Sequence, residues 1–184
     1  KTRGQSSPQG KAKIWFCCHP EDFKAYFEPI CKEILDLQNC SIWYDEEPLS
    51  EYNEETFLSD LSQMRMMVVP VTSRFLYQSS RAREVEFSYA IEHHIPVLPL
   101  MQERGLESDF NRICGELQML DKNKVDPTAL PYEDKLKNFL NAILIGDKMA
   151  AKIREAFDAY VFLSYRKKDR KYAQELMRLI HEND

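Results

Sequence analysis

Two six-residue runs, MMVVPV (66–71) and IPVLPL (95–100), are apolar at every position. A strand with one wet face alternates apolar and polar side chains, so runs without alternation belong in a parallel sheet covered on both sides. Neighbouring parallel strands need a crossover of a dozen or more residues between them. The 23 residues from Thr72 to His94 supply it, and their second half carries helical spacing. The two histidines that close it suit a helix C-terminus when protonated.

The same alternation extends in both directions. Upstream, KIWFCC (13–18) is a short apolar run and HPED a turn. FKAYFEPICKEILDL then places Phe23, Tyr26, Phe27, Ile30, Ile34 and Leu35 at spacings of three and four, which is helical. Pro29 inside it implies a kink or a late helix start. CSIWYD (40–45) reads as a second strand, followed by the acidic loop EEPLSEYNEE and a helix over ETFLSDLSQ. Downstream, ELQML (116–120) is a weaker strand, and the helix YEDKLKNFLNAIL stops at Gly146. Five alternations with right-handed crossovers predict an α/β fold, a flavodoxin-like, doubly wound, five-stranded parallel sheet with helices on both faces.

That domain spans 13–146. Residues 1–12, polar with two Gly and one Pro, read as a disordered tail, and 147–157 as a helical linker. The remainder, 158–184, matches the start of the domain. IWFCCHPEDFKAYF and YVFLSYRKKDRKYA share an apolar run, a small Cys or Ser, an aromatic ring (His19, Tyr165), a polar turn and an Asp (Asp22, Asp169). Cys18 and Ser164 lie 146 positions apart, about one domain, so 158–184 reads as the first strand and helix of a truncated second copy.

Composition narrows the functional classes. A net charge of −5 and a pI near 5.5 leave no basic stripe, which argues against nucleic acid or an anionic membrane as partner. No apolar run approaches the ~20 residues of a spanning helix, and no signal peptide opens the chain. Cys17, Cys18, Cys31, Cys40 and Cys114 are odd in number and form no C-x-x-C pair, which fits a reducing, cytoplasmic compartment. Cys17 and Cys18, adjacent on a strand, face opposite sides and lack metal-ligand spacing, as do His93 and His94, so no metal is expected. With five glycines there is no Gly-rich phosphate loop.

AYVFLSYRKKDR resembles the first strand and turn of Toll/interleukin-1 receptor (TIR) domains of the bacterial type. The complete copy is similar in its order of elements: IWFCCHPED at the first strand, SIWYDEE at the second, MVVPVTSRFL at the third. In SSRAREVEFSYAIEHHIPVLPL, Glu86, Phe87, Ser88, Tyr89 and Ala90 stand where the family has Glu, an apolar residue, two variable residues and Ala. The resemblance implies either a signalling module that assembles with itself or with other TIR domains, or an enzyme that splits NAD into nicotinamide and ADP-ribose. It makes NAD a substrate, implies no resident cofactor, and marks Glu86 as the catalytic residue. There are departures: Ala82 stands where catalytic members often have Trp, the loop after the second strand lacks Pro-Gly, and the first strand ends Cys-His. These imply a diverged copy, and an interaction module without turnover is the alternative.

The chemistry is compatible with a single carboxylate. Breaking the nicotinamide–ribose bond builds positive charge on the sugar, which an ionised carboxylate stabilises, and nicotinamide leaves as a neutral base that needs no acid. Glu84 and Glu86 point ~200° apart on an α-helix, so only one lines a given cleft; Phe87, Ala90 and Ile91 are expected to face the core. In this topology the ligand crevice lies beyond the strand carboxyl ends, where the first and third strands part. His19 and Asp22 after the first, Asp45 after the second and Ser73 after the third are therefore the candidate substrate-binding residues, with Cys18 and Thr72 nearby. Each has a plainer explanation: His19 as a turn residue, Asp22 as an N-cap, Glu86 as a solvated helix residue, Trp15 and Trp43 as packing. A nucleoside or nucleotide N-glycosidase, which also sets a lone Glu against an N-glycosidic bond, is a third reading.

Overall fold

The computed structural model describes residues 11–45 and 54–144. The acidic loop at 46–53, the Gly146 cap, the linker and the second copy lie outside them, as does the tail apart from its last two residues. Five strands, β1 (Ala12–Phe16), β2 (Cys40–Trp43), β3 (Met66–Val71), β4 (Val97–Met101) and β5 (Leu120–Asp121), pair in parallel in the order β2-β1-β3-β4-β5. This is the flavodoxin-like arrangement, and its order reverses between β1 and β3.

Helices cover both faces. Ile14, Phe16, Met66, Val68, Leu98 and Leu100 pack with α1 (Phe23–Leu37) and α6 (Tyr132–Ile143). The alternate residues Trp15, Cys17, Met67, Val69 and Val71 pack on the other side. There they meet α2 (Glu54–Ser62), α3 (Ser73–Tyr77), the π-helical segment Ala82–Phe87 with α4 (Ser88–Glu92), and α5 (Glu107–Cys114). Burial on both sides explains the lack of alternation in β3, which is buried at all six positions.

Two prolines stand inside central strands without breaking the ladder. In β3 the even-numbered residues face β1, since Cys17 N–H donates to Val68 O, and Pro70 lies past the last β1 pair, Phe16 with Val68. In β4 the even-numbered residues face β3, since Met67 N–H donates to Pro96 O. Pro99 therefore turns toward β5, one residue before that strand begins its pairing at Leu100. Each missing N–H falls where no neighbouring strand could accept it.

Several expectations need correction. β1 starts at Ala12, inside the expected tail, and α1 runs from Phe23 through Pro29 without a late start. Leu35 is exposed, and Cys31 takes the buried place on α1. ELQML contributes only its last residue to β5, while Leu117 and Met119 pack on the core from irregular chain. α3 and α5 had no counterpart in the sequence reading. Among the described residues no helix is long and apolar enough to cross a membrane.

Candidate functional site

Glu86 lies on the inner side of the π-helical segment, 4% exposed. A turn closed by i→i+5 bonds holds more residues than an α-turn and so shifts the phase of the side chains along it. Ala82, Glu86 and Ala90 accordingly share the buried side, with Phe87 beside them. The even 3.6 spacing assumed from sequence had put Glu86 at the flank and Ile91 inside; Ile91 is instead 39% exposed. Glu84 points outward to Ser79 and Arg83.

Among the described residues, Trp15, Cys17 and Arg81 act on the buried carboxyl. Trp15 Nε1–H donates to Glu86 Oε2 at 2.7 Å from β1, and Cys17, the next inward residue, also hydrogen-bonds it. Cys17 Sγ–H donates to Ala82 O at 3.2 Å. Arg81 acts on it as a positive charge. Its guanidinium is ion-paired with Asp45, just beyond β2, and lies 5.1 Å from the Phe57 ring centroid on α2. Burial pushes the Glu86 carboxyl up to about 7; the bonds from Trp15 and Cys17 and the Arg81 charge oppose that rise without cancelling it. The Cys17 and Cys18 thiols are both pushed up, first by burial and then by Glu86, so neither is a ready thiolate.

A second polar cluster sits across the end of β1. Asp22, 3% exposed, accepts from Thr72 Oγ1 at 2.6 Å and from Arg74 Nη1 at 2.7 Å. It precedes α1 without capping it, so its expected N-cap role is replaced by a tie between the ends of β1 and β3. Thr72 is the residue that caps, accepting Phe75 N–H at 3.1 Å to start α3. Ser73 Oγ donates to Glu103 Oε1 at 3.3 Å, and His19, 7% exposed, accepts Glu21 N–H on Nδ1 at 3.3 Å.

The five candidate residues thus fall into two groups. Arg81 is ion-paired with Asp45 and acts on Glu86 as a charge, which relates those two; His19, Asp22 and Ser73 surround the parting of β1 and β3. Cys18 lies between them and carries charge interactions from both Glu86 and Asp22. Trp15, Cys17, Arg81 and Arg74 were not among the candidates. Trp15 and Cys17 share the inward parity of β1, the one sequence signal that relates them. Hollows of about 390 Å³ beside Glu33, Lys122 and Tyr132 and of about 460 Å³ between α4 and α5 are not lined by Glu86. Among the described residues no cluster of His, Cys, Asp or Glu is arranged to hold a metal ion.

No family model matches the chain, and no curated protein matches it.

Proposed function

We propose that the chain carries a TIR-like domain that cleaves NAD between nicotinamide and ribose, with Glu86 as the catalytic carboxylate. The observation behind this reading is the buried carboxyl itself, received by Trp15 and Cys17 at the carboxyl end of β1. A glutamine would accept the Trp15 N–H as well and bring no charge into the core, so packing alone gives no reason for an acid. Chemistry that requires an ionised oxygen does.

In the proposed reaction the C1′–N bond breaks and its electron pair leaves with nicotinamide. The ionised Glu86 stabilises the positive charge left on the ribose, and water then adds hydroxide to C1′ and releases a proton. The Trp15 N–H fixes the second carboxyl oxygen while the charge develops. The carboxyl is 4% exposed, so a substrate reaches Glu86 only when side chains around it move.

Nicotinamide release from NAD, measured for wild type and for Glu86→Gln with folding verified by circular dichroism, tests the reading. Release by the wild type that falls at least a hundredfold in the variant supports it; equal release contradicts it. A second reading, an assembly module without turnover, is favoured by one observation. The groove between α4 and α5 leaves Ile91 and Ile113 39% and 38% exposed, beside Phe87 and Cys114.

A further inference from the structure

We propose that Trp15 is a positioning residue that divides the two oxygens of Glu86: its indole N–H holds Oε2 whether or not the carboxyl is protonated, and Oε1 is left to carry the proton and to meet the ribosyl cation. The inference rests on the NAD-cleaving reading for its last step and adds to it a residue that acts through Glu86.

The donor is fixed by three elements before it reaches the carboxyl. Trp15 lies on the central strand β1, in register with Trp43 of β2 on one side and Met67 of β3 on the other. Its ring stands edge-on to Phe57 of α2, with centroids 5.6 Å apart at 83°. It is fully buried, so the indole has no room to follow a moving acceptor. The bond to Glu86 Oε2 is 2.7 Å long and spans 71 positions of sequence, joining β1 to the π-helical segment. The titratable groups acting on the same carboxyl are Cys17 and Arg81, and Cys18 interacts with it by charge. From α5 comes Cys114, which acts on Cys17, whereas Met67, Val69, Phe57 and Leu61, which β3 and α2 bring to the same core, carry no charge.

An indole N–H only donates. Oε2 must therefore offer it a lone pair in both protonation states, and in a neutral carboxyl the carbonyl oxygen is the better acceptor. The proton accordingly sits on Oε1. When it leaves, the Trp15 bond becomes charge-assisted and strengthens, which favours the ionised form that the reaction needs. With Oε2 pinned, the carboxyl cannot turn about its terminal torsion, which is broad in a free glutamate. Oε1 then stands in one place as the C1′–N bond breaks. A bond that merely satisfied a buried indole would leave catalysis independent of it.

Two measurements on the full chain test it. In the first, kcat and KM for NAD are followed from pH 5 to pH 9.5 in the wild type, in Trp15→Phe, and with Trp15 replaced by benzothienylalanine, which keeps the shape of the indole and puts sulfur where the N–H was. In both variants the inflection of kcat/KM should rise by about one pH unit, and kcat at pH 9.5 should fall at least about tenfold with KM nearly unchanged. An unmoved inflection, or a loss confined to KM, would overturn the proposal. In the second, which needs no turnover, NMR follows the carboxyl carbon signal of Glu86, assigned by its loss in Glu86→Gln, together with the Trp15 indole N–H signal, assigned with Trp43→Phe. The two should titrate together at about pH 7 in the wild type, and the carboxyl midpoint should rise by about one pH unit in the benzothienylalanine protein. An indole signal that ignores the Glu86 titration, or an unmoved carboxyl midpoint, would overturn the role of Trp15. A wild type in which both signals titrate together yet no nicotinamide is released would instead sink the catalytic assignment of Glu86 and leave the division of its oxygens standing.

Discussion

Burying Glu86 takes a carboxylate out of water, and the donors that reach it do not make up the loss. The folded chain therefore holds a proton that the unfolded chain releases between the ordinary 4.5 and about 7. Stability from this group is greatest below 4.5, falls as pH rises through that window, and levels off above about 7; the difference is roughly 3 kcal/mol at most. Urea denaturation of the wild type and Glu86→Gln at pH 5 and pH 8 should show the variant gaining on the wild type at the higher pH. The same titration sets activity in the opposite direction. Only the ionised form stabilises a ribosyl cation, so kcat/KM for NAD should rise through pH 7 and then flatten. His94 offers a separate residue-scale test. It holds φ 55° in a turn where Ile95 N–H donates to Ala90 O at 2.8 Å and His94 N–H to Ile91 O at 3.3 Å, a helix end that usually carries glycine. His94→Gly should raise stability by up to ~1 kcal/mol, read as a higher denaturation midpoint at unchanged slope.

At the scale of elements, Thr72 ties three of them with one hydroxyl: it ends β3, caps α3 and donates to the buried Asp22 after β1. Thr72→Val keeps the shape and removes both bonds, so it should cost about 2–3 kcal/mol in chemical denaturation, with Thr72→Ser recovering most of it. The elements also explain what could be read in advance. MMVVPV and IPVLPL were legible because a doubly covered strand has to be apolar throughout. α5 was not, because ESDFNRIC is polar or charged at most positions and buries only Phe110 fully. Glu86 was legible as a residue and not as an environment, since a period of 3.6 gives no hint of a π-helical turn. Asp22 likewise looked like a cap because its partners, Thr72 and Arg74, lie fifty and fifty-two positions away.

For the molecule as a whole, the sheet order places β1 and β3 at the centre of the proposed site and of the core together. Met66, Met67, Val68 and Val69 are fully buried, whereas β5 is two residues long and followed by the exposed Val125 and Leu130. Native-state hydrogen exchange should find the slowest amides in β3 and β4 and fast exchange around Asp121. The polar groups at the strand ends divide the same way: a tie of Asp22, Thr72 and Arg74 that holds the parting of β1 and β3, and the buried Glu86 carboxyl, whose place a glutamine would fill without bringing charge into the core. Incubation of wild type and Glu86→Gln with NAD at pH 8, with nicotinamide followed by chromatography, addresses that contrast most directly. The wild type should release nicotinamide, and a variant that is folded and no less stable should release at least a hundredfold less. No release by the wild type, or equal release by both, would contradict the catalytic assignment of Glu86.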